Sequence, residues 1–543
     1  IDREFLQQSG VELAPTPRQQ MYIQRLYLYM NMTKPSWRLY LSYARMNAQG
    51  KTIRPSYLID MMRKLFPALQ IENAIHQIAG KKDALTLLAG ELREYASGRE
   101  GVLSGGELRS LYRIYQGDEK YRAYAQRLKE AAFARYEHKP LVKAVANALY
   151  GAVLENSISR LERYAACAYS HFLQYGLMLK EREEYSFEPV DLGNIFHQVL
   201  ESFAGKLAER NLTWFDFTDE EGDALLREAL DASAAAYGET VLYSNARYEY
   251  MVERMYRILK RTIRTLRAQL REGDFVPASF EMSFSRVEEL EAVNIALSGQ
   301  EKMRLKGRID RIDTCEDEEH VYVKVIDYKS GDKKFNLAAL YYGLQLQLVV
   351  YMNVAAEITA RKHPDKEIVP AALLYYHVSD PMIRAEEEKT PEEINQEILK
   401  ELCTTGLVTE DEKVVSLLDK NFVDKSLVIP VERKKDGTFS ARSSVMARED
   451  YETVSKFVSH KIRQLGVEIL SGNIAVSPCK QGTIQSCTYC AFKGVCDFEE
   501  RIPGYHMRLL GGGTRDDLLV KMRQELEENG PEDKEPENKE QEK

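Results

Sequence analysis

No stretch of this 543-residue chain is apolar enough to cross a bilayer. The longest mostly apolar run, LQLQLVVYM at 344–352, falls well short of the roughly 20 residues a helical span needs. No secretory leader stands at the front, and the chain opens on Ile1 rather than Met, so a fragment or processed product is expected. Serine-hydrolase chemistry lacks its elbow: GxSxG is absent, and no serine has an evident base beside it. GxGxxG and GxxxxGK[ST] are missing too, which removes the dinucleotide fingerprint and the ATP phosphate loop. The even cysteine set of a disulfide scaffold is also wanting. There are 7 cysteines, three of them clustered, which points to a reducing compartment such as the cytoplasm and to metal ligation.

What is present suits a soluble globular protein of about two to four domains. Hydrophobic residues make up 44% and charged residues 29%, with a net charge of −9. An acidic balance does not favour nucleic acid, yet it does not exclude it. Enzymes that hold divalent metals need carboxylates at the very place where a phosphodiester must bind, so the distribution of charge outweighs the sum.

Along the chain, RLYLSYA (38–44) alternates like a short buried strand, and residues 58–149 have a helical rhythm with few glycines. A second unit opens near Ser157 with an aromatic-rich segment that sets Cys167 at or just inside a helix. DLGNIFHQVLESFAGKL (191–207) reads as an amphipathic helix. FVPASFEMSF, MRLKGRIDRIDTC and HVYVKVIDYKSG, between 275 and 331, are strand-like. A helix is expected from Leu337 to Ala360, then a strand at PAALLYYHV (370–378). That order suits a small α/β nuclease core. Residues 380–450 yield little chemistry, and a charged tail over 511–543 is expected to be disordered.

The chemistry-bearing signal is GRIDRID (307–313) followed by VIDYKSG (325–331). Asp327 and Lys329 are two apart on a strand and share a face, whereas Asp310 and Asp313 are three apart, so only one of them can join that face. Carboxylates from neighbouring strands can hold one or two divalent cations, and a lysine beside them can orient the attacking water. A solvent-facing salt-bridged hairpin is the plainer reading of such letters. Against it, Ile309, Ile312, Val323, Val325 and Ile326 make the strands apolar enough to be central. Gln347 and Tyr351, four apart, stack on one side of a helix and could contact a nucleic-acid backbone or position the lysine. His197 on the amphipathic helix is a candidate metal ligand, although a lone helical histidine is more often structural. Glu281 is a further possible acidic contributor.

Cys487, Cys490 and Cys496 in CTYCAFKGVC suit zinc or an iron–sulfur cluster equally. The fourth ligand could be Cys167, Cys315, Cys403 or Cys479. Cys479 is nearest in sequence. Cys167 has the aromatic surroundings, Tyr164, Tyr169 and Phe172, that would shield a cluster, whereas Cys315 and Cys403 look like free thiols.

Taken together, Cys167, His197, GRIDRID, VIDYKSG, GLQLQLVVY and CTYCAFKGVC resemble the nuclease region of AddB-type subunits of bacterial AddAB helicase–nucleases, within the RecB-like branch of the PD-(D/E)XK nucleases. The resemblance covers about 157–505 and implies an α/β core, a mixed sheet flanked by helices, that hydrolyses DNA with Mg²⁺. It implies His197, Asp310 and Asp327 as metal ligands, Lys329 as the catalytic lysine, and Gln347 and Tyr351 as an accompanying Q-x-x-x-Y motif. It also implies one [4Fe–4S] cluster on Cys167, Cys487, Cys490 and Cys496. LYLYMNMTKPSWRLYLSYA (26–44) looks like the end of a superfamily 1 helicase core, so that 1–150 would be the close of a helicase-like domain and a helical linker. Thr33-Lys34 stands where a Thr-Arg pair is usual, and lysine cannot replace a bidentate phosphate fork. A motor-inactive subunit is implied, partnered by an AddA-type helicase–nuclease. The expected substrate is the 5′-terminated strand at double-strand DNA ends, fed in as single-stranded DNA. Two rival readings are an iron–sulfur exonuclease of adaptive immunity and a non-catalytic DNA-binding scaffold.

Overall fold

A computed structural model describes residues 8, 10 and 14–528, apart from 48–50, 72–79, 152, 183–188, 238–241, 285–289, 299–300, 332 and 384–388. The chain divides into two compact units, Ile1–Phe133 and Ala134–Lys543.

In the first unit, helices span Pro17–Thr33, Tyr57–Leu65, Lys81–Ala96, Gly105–Gly117 and Arg122–Ala132. Starts are set by local chemistry: Thr16 with Gln19, and Ser104 with Glu107, form reciprocal capping boxes. A small core gathers Leu88, Leu92, Leu108, Tyr115 and Ala125. The expected buried strand at 38–44 is not formed, and Leu39, Tyr40 and Leu41 are exposed. Alternation marks which face could be buried, but a strand also needs a partner to pair with. Among the described residues none pairs with this one.

The second unit is built on a six-stranded mixed sheet of β1 (Val276–Ser283), β2 (Arg308–Glu316), β3 (His320–Lys329), β4 (Glu367–His377), β5 (Thr405–Thr409) and β6 (Val445–Met446), in that spatial order. Strand β2 runs antiparallel to both β1 and β3, β3 and β4 run parallel, β4 and β5 antiparallel, and β5 and β6 parallel. Buried on both faces, β3 reads Val-Tyr-Val-Lys-Val-Ile without alternation. One face carries α2 (Pro189–Glu209), α3 (Asp219–Ala236) and α4 (Ala246–Glu272), packed on Tyr322, Ile326, Tyr328, Leu374 and Tyr376. The other carries α1 (Ile158–Ala166), α5 (Gln347–Lys362) and α6 (Arg448–Leu470), packed on Ile309, Ile312, Val323, Val325 and Tyr375. The helix Lys143–Tyr150 belongs to this unit, against α6.

Two expectations are corrected. The helix read as continuous from Leu337 to Ala360 is broken into Leu337–Tyr341 and α5, because the chain turns at Gly343, whose φ of 77° suits glycine. The tail expected to be disordered over 511–543 is helical over Arg515–Glu528, with Leu518, Leu519 and Met522 buried and Lys461 paired to Glu525. Its charge density hid an apolar stripe three and four residues apart. The rest of that tail, 529–543, lies outside the described residues. No described helix is long and apolar enough to cross a membrane.

Candidate active site and cysteine centre

The sheet register brings three carboxylates into one row. Phe280 pairs with Arg311 and Met282 with Ile309, so Glu281 on β1 stands beside Asp310 on β2. Arg311 pairs with Ile326, so the next step along sets Asp310 beside Asp327 on β3. From α2, His197 Nδ1 reaches Glu281 Oε1 at 3.1 Å and Asp310 Oδ2 at 3.3 Å. Ligand atoms of His197, Glu281 and Asp310 all lie within 4.8 Å of one another. Glu281 has a φ of 45°, in the left-handed region, where a side-chain-bearing residue costs about 1–2 kcal/mol. Its flanking residues on β1, Phe280 and Met282, are both paired with β2.

The electrostatics of the row are those of a cation site. Asp310 is buried and its carboxyl is held well above the usual carboxylate range, first by burial and then by the charge of Asp327. His197 opposes this. Burial pulls its imidazole down, but the Glu281 hydrogen bond and the charges of Asp310, Glu281 and Asp327 together raise it. The Tyr328 amide donates to Asp310 Oδ2 at 2.7 Å. Asp327 is fully buried, and neither of its oxygens accepts a hydrogen bond of good geometry; its close contact is the Lys329 ammonium. A buried carboxylate short of donors beside a second one suits a divalent cation. The ligand atoms that converge here are those of His197, Glu281 and Asp310, which suit a divalent cation; Asp327 stands next to Asp310 on β3 and is not in that group.

Asp313 takes the other face of β2. It is fully buried and bound by Arg311 at 2.6 Å and Lys324 at 2.8 Å, which lower its carboxyl although burial alone would raise it. Arg311 lies over the rings of Trp214 and Phe280. The two aspartates of GRIDRID thus do different work. Gln347 Nε2 donates to Tyr351 Oη at 3.0 Å. Tyr351 is buried, and its hydroxyl is raised by burial and then by the charge of Asp327.

One residue escaped the sequence reading. Glu162 on α1 accepts from the amides of Leu346 at 2.7 Å and Gln347 at 3.2 Å, at the start of α5. The available signal was α5 itself, which begins after Leu346 with no capping side chain of its own.

Cys167, Cys487, Cys490 and Cys496 line a single cavity of about 340 Å³ together with Tyr169, Phe492 and Phe498. Among the described residues, no three of these sulfurs lie within 4.8 Å of one another. The Cys487 thiol is pushed up to about 11, by burial first and then by Cys167, Cys490 and Cys496. Crowded thiols of this kind fit a metal centre that takes them as thiolates. Cys479 is buried on the strand Cys479–Gln481 and does not line the cavity. Arg508 fastens the two halves, donating to the carbonyls of Ala165 at 2.5 Å and Ala166 at 3.1 Å, just before Cys167.

A mixed sheet between helices, with a carboxylate row, a lysine two residues on and a helical histidine, defines a metal-dependent nuclease. Residues 155–497 match the model of the PD-(D/E)XK nuclease superfamily, and the chain belongs to that family. It is 37% identical over 97% of its length to the B-type subunit of the ATP-dependent helicase/deoxyribonuclease of Lachnoclostridium phytofermentans, covering 45% of that protein. It is 31% identical over 98% of its length to the protein of the same name from Clostridium acetobutylicum, covering 47% of it. For the one from Bacillus cereus the figures are 32%, 97% and 46%. The chain thus spans about half the length of the curated relatives it matches.

Proposed function

We propose that this chain is the DNA-cleaving part of the B-type subunit of a cytoplasmic helicase–nuclease. It hydrolyses phosphodiesters of the 5′-terminated strand with Mg²⁺ while double-strand ends are resected for recombination. The observation that carries this reading is the convergence of His197, Glu281 and Asp310, with Asp327 and its partner Lys329 on the neighbouring strand. His197, Asp310 and Asp327 would hold the cation, and the bound ion would supply Lewis-acid stabilisation and an acidified water. Lys329, anchored by Asp327, orients that water and offsets phosphate charge. Gln347, held by its bond to the buried Tyr351, contacts the strand's backbone. The first unit is the end of a helicase-like domain. An AddA-type partner delivers the single strand, and ATP dependence belongs to the longer assembly.

The four-cysteine cavity takes a [4Fe–4S] cluster in a structural role. Tetrahedral zinc with bonds of about 2.3 Å would hold its sulfurs about 3.8 Å apart. The wider spacing here and the open volume favour a polynuclear centre. Cys167→Ala should therefore lose most of its iron and become protease-sensitive over the second unit, while Cys479→Ala keeps its iron. The reverse pattern would make Cys479 the fourth ligand.

The reading as a whole is tested with 5′-labelled single-stranded DNA. Degradation should require Mg²⁺ and stop with a chelator such as EDTA. Binding without any cleavage across a range of Mg²⁺ and Mn²⁺ would favour the scaffold reading instead.

A further inference from the structure

We infer that Glu162 is a positioning residue for cleavage, one that fixes the start of the helix carrying Gln347 and Tyr351 and ties the cysteine centre to the catalytic strands. The inference rests on the nuclease reading above and adds to it a physical link between its two centres.

Helix α5 opens with backbone N–H groups that nothing on α5 itself caps. One oxygen of Glu162, Oε1, takes two of them, from Leu346 and Gln347, across 184 and 185 residues of sequence. Burial raises the Glu162 carboxyl, while Lys333, the two amides and Lys329 act the other way. The lysine of the catalytic row is thus close enough to feel this charge. Four residues on from Gln347, Tyr351 lies in the field of Asp327 and Asp310. A shift at the first turn of α5 would move Gln347 and Tyr351 relative to those carboxylates.

In the other direction α1 runs straight to the cysteines. Cys167 ends the helix, its N–H bonded to the Arg163 carbonyl at 3.0 Å. Cys167 lies five positions on from Glu162, about 7.5 Å of helix axis. The turn before α5 is pressed onto the same helix, since a Cβ on Gly343 would meet Ala165 at 3.1 Å. Little slack remains between the cysteine cavity and the start of α5.

The test uses the full chain carrying Glu162→Ala or Glu162→Gln, in the parent and in a Gln347→Ala background. It reads steady-state cleavage of labelled single-stranded DNA together with hydrogen exchange over 342–352. Glu162→Ala should lower kcat about tenfold or more with KM for DNA nearly unchanged, and should speed exchange at Leu346 and Gln347. Glu162→Gln keeps an acceptor oxygen and should restore kcat to within roughly threefold. In the Gln347→Ala background, adding Glu162→Ala should cost less than about twofold more, because both changes act through one element. Additive losses, a parental rate for Glu162→Ala, or parental exchange at Leu346 and Gln347 would overturn the inference. A Glu162→Gln protein as impaired as Glu162→Ala would overturn it as well, by assigning the effect to charge. If the parent chain does not cleave at all, the nuclease reading fails, and the exchange data alone decide whether Glu162 fixes this helix.

Discussion

Asp310→Asn should abolish cleavage and yet leave a more stable protein. Loss of one metal-binding carboxylate is expected to cost about a thousandfold in rate, roughly 4 kcal/mol of transition-state stabilisation. The amide keeps an oxygen for the Tyr328 N–H, so the strand pairing survives. It removes a buried charge that Asp327 repels. In metal-free protein at neutral pH the gain should be visible as a rise in Tm. The sign follows from the direction of the shift. Asp310 has its folded-state carboxyl raised above the ordinary value of 3.8, so the parent's stability is full below that pH and falls as pH rises through the folded value. The advantage of Asp310→Asn should accordingly shrink as pH drops toward 3.8. A variant that cleaves at the parent's rate would remove Asp310 from the site.

Asp313→Ala, three residues on, should do the opposite. It strands two buried cations, Arg311 at 1% exposure and Lys324 at 8%, that depend on this carboxylate. Breaking such a group typically costs about 3–5 kcal/mol, a large share of the roughly 5–15 kcal/mol that holds a domain together. Urea unfolding should show a midpoint far below the parent's, with any surviving folded fraction still able to cleave. A stable, inactive Asp313→Ala protein would contradict the division of labour between the two aspartates. The contrast is sharp because neither residue differs from the other in type, strand or local sequence.

That contrast also marks how far the sequence is legible. Period-two geometry states that Asp310 and Asp313 face opposite ways, but it does not say which one joins Asp327. The choice is made by pairing register, Arg311 against Ile326, and by Trp214 and Phe280 closing over Arg311 on the far face. The central strands were readable because β3 is apolar on both faces, and α2 because its stripe is continuous. Glu281 stayed one candidate among several, since its role needs a left-handed backbone angle that no side-chain pattern announces. Glu162 was invisible for another reason. Its partners are backbone amides far along the chain, and a backbone amide leaves no letter in a sequence. The misread strand at 38–44 and the misread tail fail in opposite directions. In the first, an apolar pattern had nothing to pair with among the described residues. In the second, buried leucines were outnumbered by surface charge.

The cysteine centre and the carboxylate row sit at the two ends of short connections rather than in separate parts of the unit. Cys167 closes α1, Glu162 on α1 caps α5, and α5 carries Gln347 and Tyr351 beside the carboxylates. Split ligands are economical in that setting, because closing a long loop costs little more than closing a short one. Arg508 and the cysteines near it then hold the C-terminal segment against α1.

The account stands or falls on where a divalent cation binds. A crystal of the full chain soaked in Mn²⁺, with anomalous differences measured, locates it directly. The expected result is a peak between His197, Asp310 and Asp327, within reach of Glu281, that disappears in Asp310→Asn. A Mn²⁺-saturated crystal of cleavage-competent protein with no density there, or with its only peak elsewhere, would contradict it.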